Sequence, residues 1–196
     1  LRAAIGTVLN DDRWAIDAIW TYLNIKDERS KNLKGTGVML PLWLGAQITL
    51  DGNNKDASAR WHAVLNTADF RCQKPFQISP YIACTPYFGL RAAWFSQLLT
   101  ARYCASIGVT GHSNSGIGAK MYNVSHLWGI GGRMGFNSEW LMGSNWNLYT
   151  NLASSLLYSH FDLSQDSNSY YSAIHLDTDF DTNIANLETA LGLSYG

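Results

Sequence analysis

Residues 128–140 read WGIGGRMGFNSEW. Trp128, Ile130, Met134 and Phe136 fall on one parity, and Arg133, Asn137 and Glu139 on the other. A repeat of two is the repeat of a strand, whose successive side chains point to opposite faces. Glycine at 129, 131, 132 and 135 argues against a helix. One face of this stretch is bulky and oily, and the other is nearly bare apart from an arginine, an asparagine and a glutamate. That pattern demands apolar surroundings on one side and room with water on the other.

The same alternation recurs along the chain. Trp14, Ile16, Ala18, Trp20 and Tyr22 oppose Asp17, Ile19 and Thr21. Trp61, Ala63 and Leu65 oppose Arg60, His62 and Asn66. Phe88, Leu90, Ala92 and Trp94 oppose Gly89, Arg91, Ala93 and Gln97. Leu148, Leu152, Leu156 and Tyr158 oppose Asn147, Asn151, Ser155 and Ser159, and Leu187, Leu191, Leu193 and Tyr195 oppose Asn186, Glu188 and Gly192. Seven strands are predicted, near 1–9, 13–24, 58–72, 80–105, 121–141, 146–162 and 183–196. Their links alternate between short (Asn10–Asp12, Gln73–Ser79, Gly143–Asn145) and long (25–57, 106–120, 163–182). Short turns at one end and long loops at the other describe an antiparallel transmembrane β-barrel of the porin type. The apolar stretch "VMLPLWLGAQI" inside 25–57 is expected as a loop element on or in the barrel mouth.

Composition agrees. Charged residues make up 15% and aromatics 13%, with eight Trp and ten Tyr. Few charges and many amphipathic rings suit a surface with aromatic belts at a lipid boundary. No apolar run reaches the roughly 20 residues of a membrane helix. A net charge of −1 leaves no nucleic-acid footprint.

On a barrel wall the polar face turns inward. Asp17, Arg60, His62, Asn66, Arg91, Gln97, Arg133, Asn137, Glu139, Asn151 and Glu188 are then pore-lining, and Arg2 joins them. Trp14, Trp20, Trp61, Phe88, Trp94, Trp128, Phe136, Leu152 and Leu156 are lipid-facing. Charges around a lumen set which ions enter; alternatively they form cross-strand pairs that hold the wall. Cys72 and Cys84 flank the 73–79 turn and are a possible disulfide, with Cys104 left over. A soluble β-sandwich that binds carbohydrate is the alternative fold, with the Trp-rich face as a dry core.

Nothing points to an enzyme. The nucleophile-elbow, zincin, P-loop and dinucleotide patterns are all missing. "GIGGRMG" resembles a phosphate loop but alternates like a strand with no helix after it. In "SHFDLSQD", Ser159 and His160 are adjacent on a strand and point to opposite faces, which breaks any triad with Asp162. His62, His112, His126, His160 and His175 show no metal-ligand spacing, and no cofactor is expected.

Taken in order, "DDRWAIDAIWTYL", "PLWLG", "SARWHAVLNTADF", "PYFGLRAAWFSQ", "WGIGGRMGFNSEW", "NLYTNLASSLLYSHF" and "ANLETALGLSY" resemble the major outer membrane protein family of Legionella, also found in Chlamydia-like bacteria. The resemblance covers nearly the whole chain. It implies a pore-forming barrel exported with a cleaved signal peptide and set in outer-membrane lipid and lipopolysaccharide. It also implies passive diffusion of ions and small solutes, possible contact with host surfaces, and no catalytic residues; related pores are commonly homotrimers. A surface adhesin on a plugged barrel is the alternative. Seven strands is an odd number, and the chain ends Leu193-Ser194-Tyr195-Gly196 without a terminal aromatic. An incomplete barrel is therefore expected.

Overall fold

A computed structural model describes residues 1–9, 13–34, 54–107, 115–143, 145–169 and 173–195. The apolar stretch in 38–48 lies outside them. The strands are β1 (Arg2–Val8), β2 (Ala15–Lys34), β3 (Asn54–Gln73), β4 (Phe76–Ser79), β5 (Ile82–Ile107), β6 (Ser115–Leu141), β7 (Trp146–Ser169) and β8 (Ala173–Tyr195). They form one antiparallel sheet in the order β1-β2-β3-β5-β6-β7-β8. The extra strand β4 pairs with the start of β5. It occupies the link expected at 73–79, so the tight turn sits instead at Pro80–Tyr81. The sheet does not close, because β1 and β8 each pair on one side only.

Apart from β4, each strand pairs with the next along the chain, as a meander built from hairpins must. At one end the connections are compact. Leu9 N donates to Trp14 O, and Met142 N donates to Trp146 O. Gly143 at φ 79° and Asn145 at φ 68° supply the left-handed residues that a tight reversal into β7 needs.

At the other end the strands outrun the expected loops. β2 continues to Lys34, β3 starts at Asn54, β6 starts at Ser115, and β7 and β8 run through nearly all of 163–182. The expected loop 163–182 is therefore strand apart from 170–172, which lie outside the described residues. The reason is visible in "HLDTDFDTN": Leu176, Thr178 and Phe180 alternate with Asp177, Asp179 and Asp181. This is a strand pattern with wet carboxylates on one face.

The sheet is strongly curled. The side chains of Arg91 on β5 and Glu188 on β8 form an ion pair. Three interstrand spacings would separate those strands by about 14 Å in a flat sheet. The glycines allow this curvature. A Cβ on Gly89 would fall 2.9 Å from Arg71 Cα, and one on Gly131 would fall 2.8 Å from Leu157 Cα, with a carbonyl oxygen of β3 or β7 nearer still. Backbone occupies the space a side chain would need.

Candidate functional site: a charged belt on the concave wall

The face on which Arg91 and Glu188 meet is concave, and ladder rows can be followed across it. One row runs Asp17, Arg71, Gly89, Arg133, Ser155 and Asn186; the next runs Ile19, Asp69, Arg91, Gly131, Leu157 and Ile184. Their charged members form two groups. Arg71 donates to both carboxylate oxygens of Asp17, at 2.8 and 2.7 Å, and Gln73 donates to the same carboxylate at 3.1 Å. Arg91 donates to Asp69 at 2.6 and 2.8 Å. Arg133 donates to Glu188 at 2.9 and 2.7 Å and stands 3.7 Å from Asp69. Glu188 thus joins Arg91 and Arg133, and the quartet ties β3, β5, β6 and β8 together.

These charges are well covered: the side chains of Asp69, Arg91 and Arg133 are 6%, 7% and 7% exposed. Burial on that scale is tolerable because each charge meets an opposite one in bidentate or forked geometry. Tyr87 fills the space between the groups. The Arg71 guanidinium lies 4.7 Å and that of Arg133 5.9 Å from its ring centroid. Asn151 donates to the Tyr87 hydroxyl at 3.3 Å and to Asn137 Oδ1 at 2.5 Å. A cavity of about 1120 Å³ runs along this wall, bordered by Arg2, Arg91, Arg133, Asn137, Glu139, Asn151 and Glu188 among others.

The convex face at the same height is oily. Phe88, Trp94, Trp128, Phe136, Leu152 and Leu156 are all exposed there, as are Trp20, Ile130 and Met134. Trp94 and Trp128 are direct cross-strand partners. Trp14 packs edge-on against Phe88 at 6.3 Å, on the same side. Toward the compact turns, Trp146 lies 5.2 Å from Tyr195 and Trp140 is half-exposed. Aromatics thus bracket an apolar band.

Asp17, Arg91, Gln97, Arg133, Asn137, Glu139, Asn151 and Glu188 fall on the concave side, and the bulky residues just named on the convex side. β3 is the exception. Asn66 pairs with Trp94, so Asn66, His62 and Arg60 share the convex face, whereas Trp61 shares the concave face with Asp69. The cause is a swap of polarity along the strands. Past the level of Trp94 and Trp128, the concave face carries apolar residues such as Leu65, Phe95 and Leu127 and the convex face turns polar. Arg60 there pairs with Glu28 at 2.9 Å, and His62 lies 3.1 Å from Asn24. Assigning the whole of β3 from Trp61 therefore inverted it.

That inversion also hid two belt members, Asp69 and Arg71, which share Trp61's parity; Tyr87, on β5 with Arg91's parity, carries no charge to mark it. The signal was present in "ADFRC", where two charges flank one Phe. The expected Cys72–Cys84 bridge is overturned. Cys72 stands opposite Phe88, four residues along β5 from Cys84, which is about 13 Å. That is far beyond disulfide reach, and both thiols are free.

Among the described residues, no cluster of three or more His, Cys, Asp or Glu is placed to hold a metal ion, and no helix is long and apolar enough to cross a membrane. No curated protein matches the chain. The family model described as Legionella pneumophila major outer membrane protein precursor matches residues 10–196. With that match over nearly all its length, an antiparallel sheet, an oily convex band and a polar concave wall, the chain belongs to this outer membrane protein family.

Proposed function

We propose that the chain forms the wall of a water-filled diffusion pore for ions and small solutes, with its convex band against outer-membrane lipid. One observation carries this reading. The ion-paired belt of Asp17, Asp69, Arg71, Arg91, Arg133 and Glu188 lies on the concave face, back to back with Phe88, Ile130, Met134 and Leu156. Turned toward hydrocarbon, a single arginine would cost about 2–4 kcal/mol; facing a wet lumen, it keeps its charge. Three carboxylates against three guanidiniums cancel, so the belt discriminates weakly between ions. Arg2 and Arg13 against Glu139, all bordering the cavity and in no ion pair among the described residues, leave one positive charge that tips the wall toward anions. The reading involves no cofactor and no catalytic step.

Refolded protein in planar bilayers is the test. Stepwise conductance with a mild anion preference is expected, and Arg2→Glu, a change at an exposed edge residue, should move the preference toward cations. Protein shown to be inserted in lipid but without conductance refutes the pore.

A second reading rests on strand length. β6 has 27 residues, whereas about 9–11 cross the hydrocarbon core. The polar-faced remainder projects as a rigid surface suited to contact with another cell. Loss of cell binding on trimming 108–114, with conductance unchanged, would support it.

A further inference from the structure

The concave wall changes character about 13 Å along the strands from the charged belt, the distance from Arg91 to Phe95. There one ladder row crosses six strands and is wholly apolar: Leu23, Leu65, Phe95, Leu127, Phe161 and Phe180. The rings of Phe161 and Phe180 stack at 5.0 Å with a 9° interplanar angle. No described residue covers the ends of this row, where Leu23 is 46% and Phe180 44% exposed. On the convex side at this height stand Asn24, His126, Asp162 and Asp179, so hydrocarbon does not explain the apolar row. Leu65 and Leu127 border the same cavity as Arg91, Arg133 and Arg2. The cavity is therefore amphipathic, with two members of the apolar row at one level and arginines at the other. Its positive groups are not all paired: Arg2 and Arg13 border it and are in no ion pair among the described residues.

Resting on the pore reading, we propose that this row is a docking ring for the apolar part of a water-borne amphipathic anion, such as a medium-chain monocarboxylate, whose head group is met by Arg2. Charge complementarity selects the head, and burial of methylenes against the ring selects the tail. The occupant enters from water, because the sheet itself separates the ring from the lipid on the convex side.

The test measures binding without requiring conduction. Butyrate, hexanoate and octanoate are titrated calorimetrically into amphipol-held protein. Affinity should rise by about two- to fourfold per methylene, the upper figure corresponding to full burial of each CH₂. Phe180→Asn and Leu23→Asn, both at half-exposed positions, should flatten that dependence while leaving butyrate unchanged. Arg2→Gln should weaken all three acids by a similar factor. Affinity independent of chain length overturns the proposal. So does a fall in thermal midpoint in the Asn variants with binding unaltered, which would mean that protein, not solute, covers the ring. Retention of phospholipid with no response to the soluble acids also overturns it, by assigning the row to lipid. Conducting protein that binds none of the acids refutes this inference alone, and protein that binds octanoate but never conducts refutes the pore alone.

Discussion

Gly131 and Gly132 are neighbours on β6, yet a methyl group at each should have opposite effects. At Gly131 the added Cβ points to the concave side. It would lie inside contact distance of the Leu156 carbonyl oxygen and 2.8 Å from both Leu156 C and Leu157 Cα. All three atoms are backbone, so no rotamer change relieves the overlap. Relief requires β6 and β7 to part by roughly an ångström, which weakens the ladder hydrogen bonds beside the clash. Overpacking alone costs about 1–3 kcal/mol. Each backbone bond loosened away from water adds about 1–3 kcal/mol more. Gly131→Ala should therefore destabilise by about 3 kcal/mol or more, or prevent folding. At Gly132 nothing lies within 4 Å of the new Cβ, which projects from the convex face. Removing glycine's extra unfolded-state freedom should then stabilise by about 0.5 kcal/mol. Urea unfolding in lipid vesicles, followed by tryptophan fluorescence, compares the two, and heat-modified gel mobility reports whether each variant folds. Equal effects, or a Gly131→Ala cost below about 0.5 kcal/mol, would refute the claim that close strand approach at the belt sets the curvature.

Three further outcomes are expected. Ile130→Arg, on the oily convex band, should cost about 2–4 kcal/mol, whereas Asp179→Arg on the polar extension should change stability by less than about 0.5 kcal/mol; similar costs would contradict the height assigned to the band. Alkylation of unreduced, unfolded protein should modify both Cys72 and Cys84, and a bridged peptide would contradict the β3–β5 register. The hydrogen bond from His175 to Asp166 at 2.5 Å, helped by that carboxylate's charge, holds the imidazole's pKa above its ordinary value. The stabilisation is complete below the unfolded pKa near 6.5 and fades as pH rises through the raised folded value. NMR titration of the His175 ring should show the raised midpoint, with Asp166→Asn returning it toward 6.5; an unchanged midpoint in that variant would remove the pair.

The band was legible because its chemistry is one-sided. Trp20, Trp94, Trp128 and Leu156 repeat every second residue beside Asp17, Arg91, Arg133 and Asn151, and alternation alone sorts them. The upper strands were not legible as strands for the same reason. Residues 163–182 carry four aspartates, and an aspartate-rich stretch resembles a loop unless the opposite parity is read as well. Phe161, Leu163, Leu176 and Phe180 supply that parity. Partner choice is a third case. Sequence indicated that Arg133 and Glu188 share a face, but their contact arises from curl across intervening β7, which no pattern within a strand encodes.

The swap of polarity is itself a ruler. A strand standing wholly in membrane would keep its oily parity from end to end, and one standing wholly in water as part of a sandwich would keep its inward parity oily throughout. Here parity and polarity change places between Trp128 and His126 on β6, between Tyr158 and His160 on β7, and between Trp94 and Ser96 on β5. Trp128–His160 is one ladder pair and Ser96–His126 another, so the change falls at one level on β5 and β6 and one ladder row, two residues, nearer the compact turns on β7. A boundary shared by adjacent strands belongs to the surroundings rather than to any one strand. On the proposed reading it marks where hydrocarbon gives way to water outside the wall. The apolar row of Leu65, Phe95 and Leu127 begins at that same level inside. The wall thus has lipid outside and a wet belt inside below the boundary, then water outside and an oily ring inside above it.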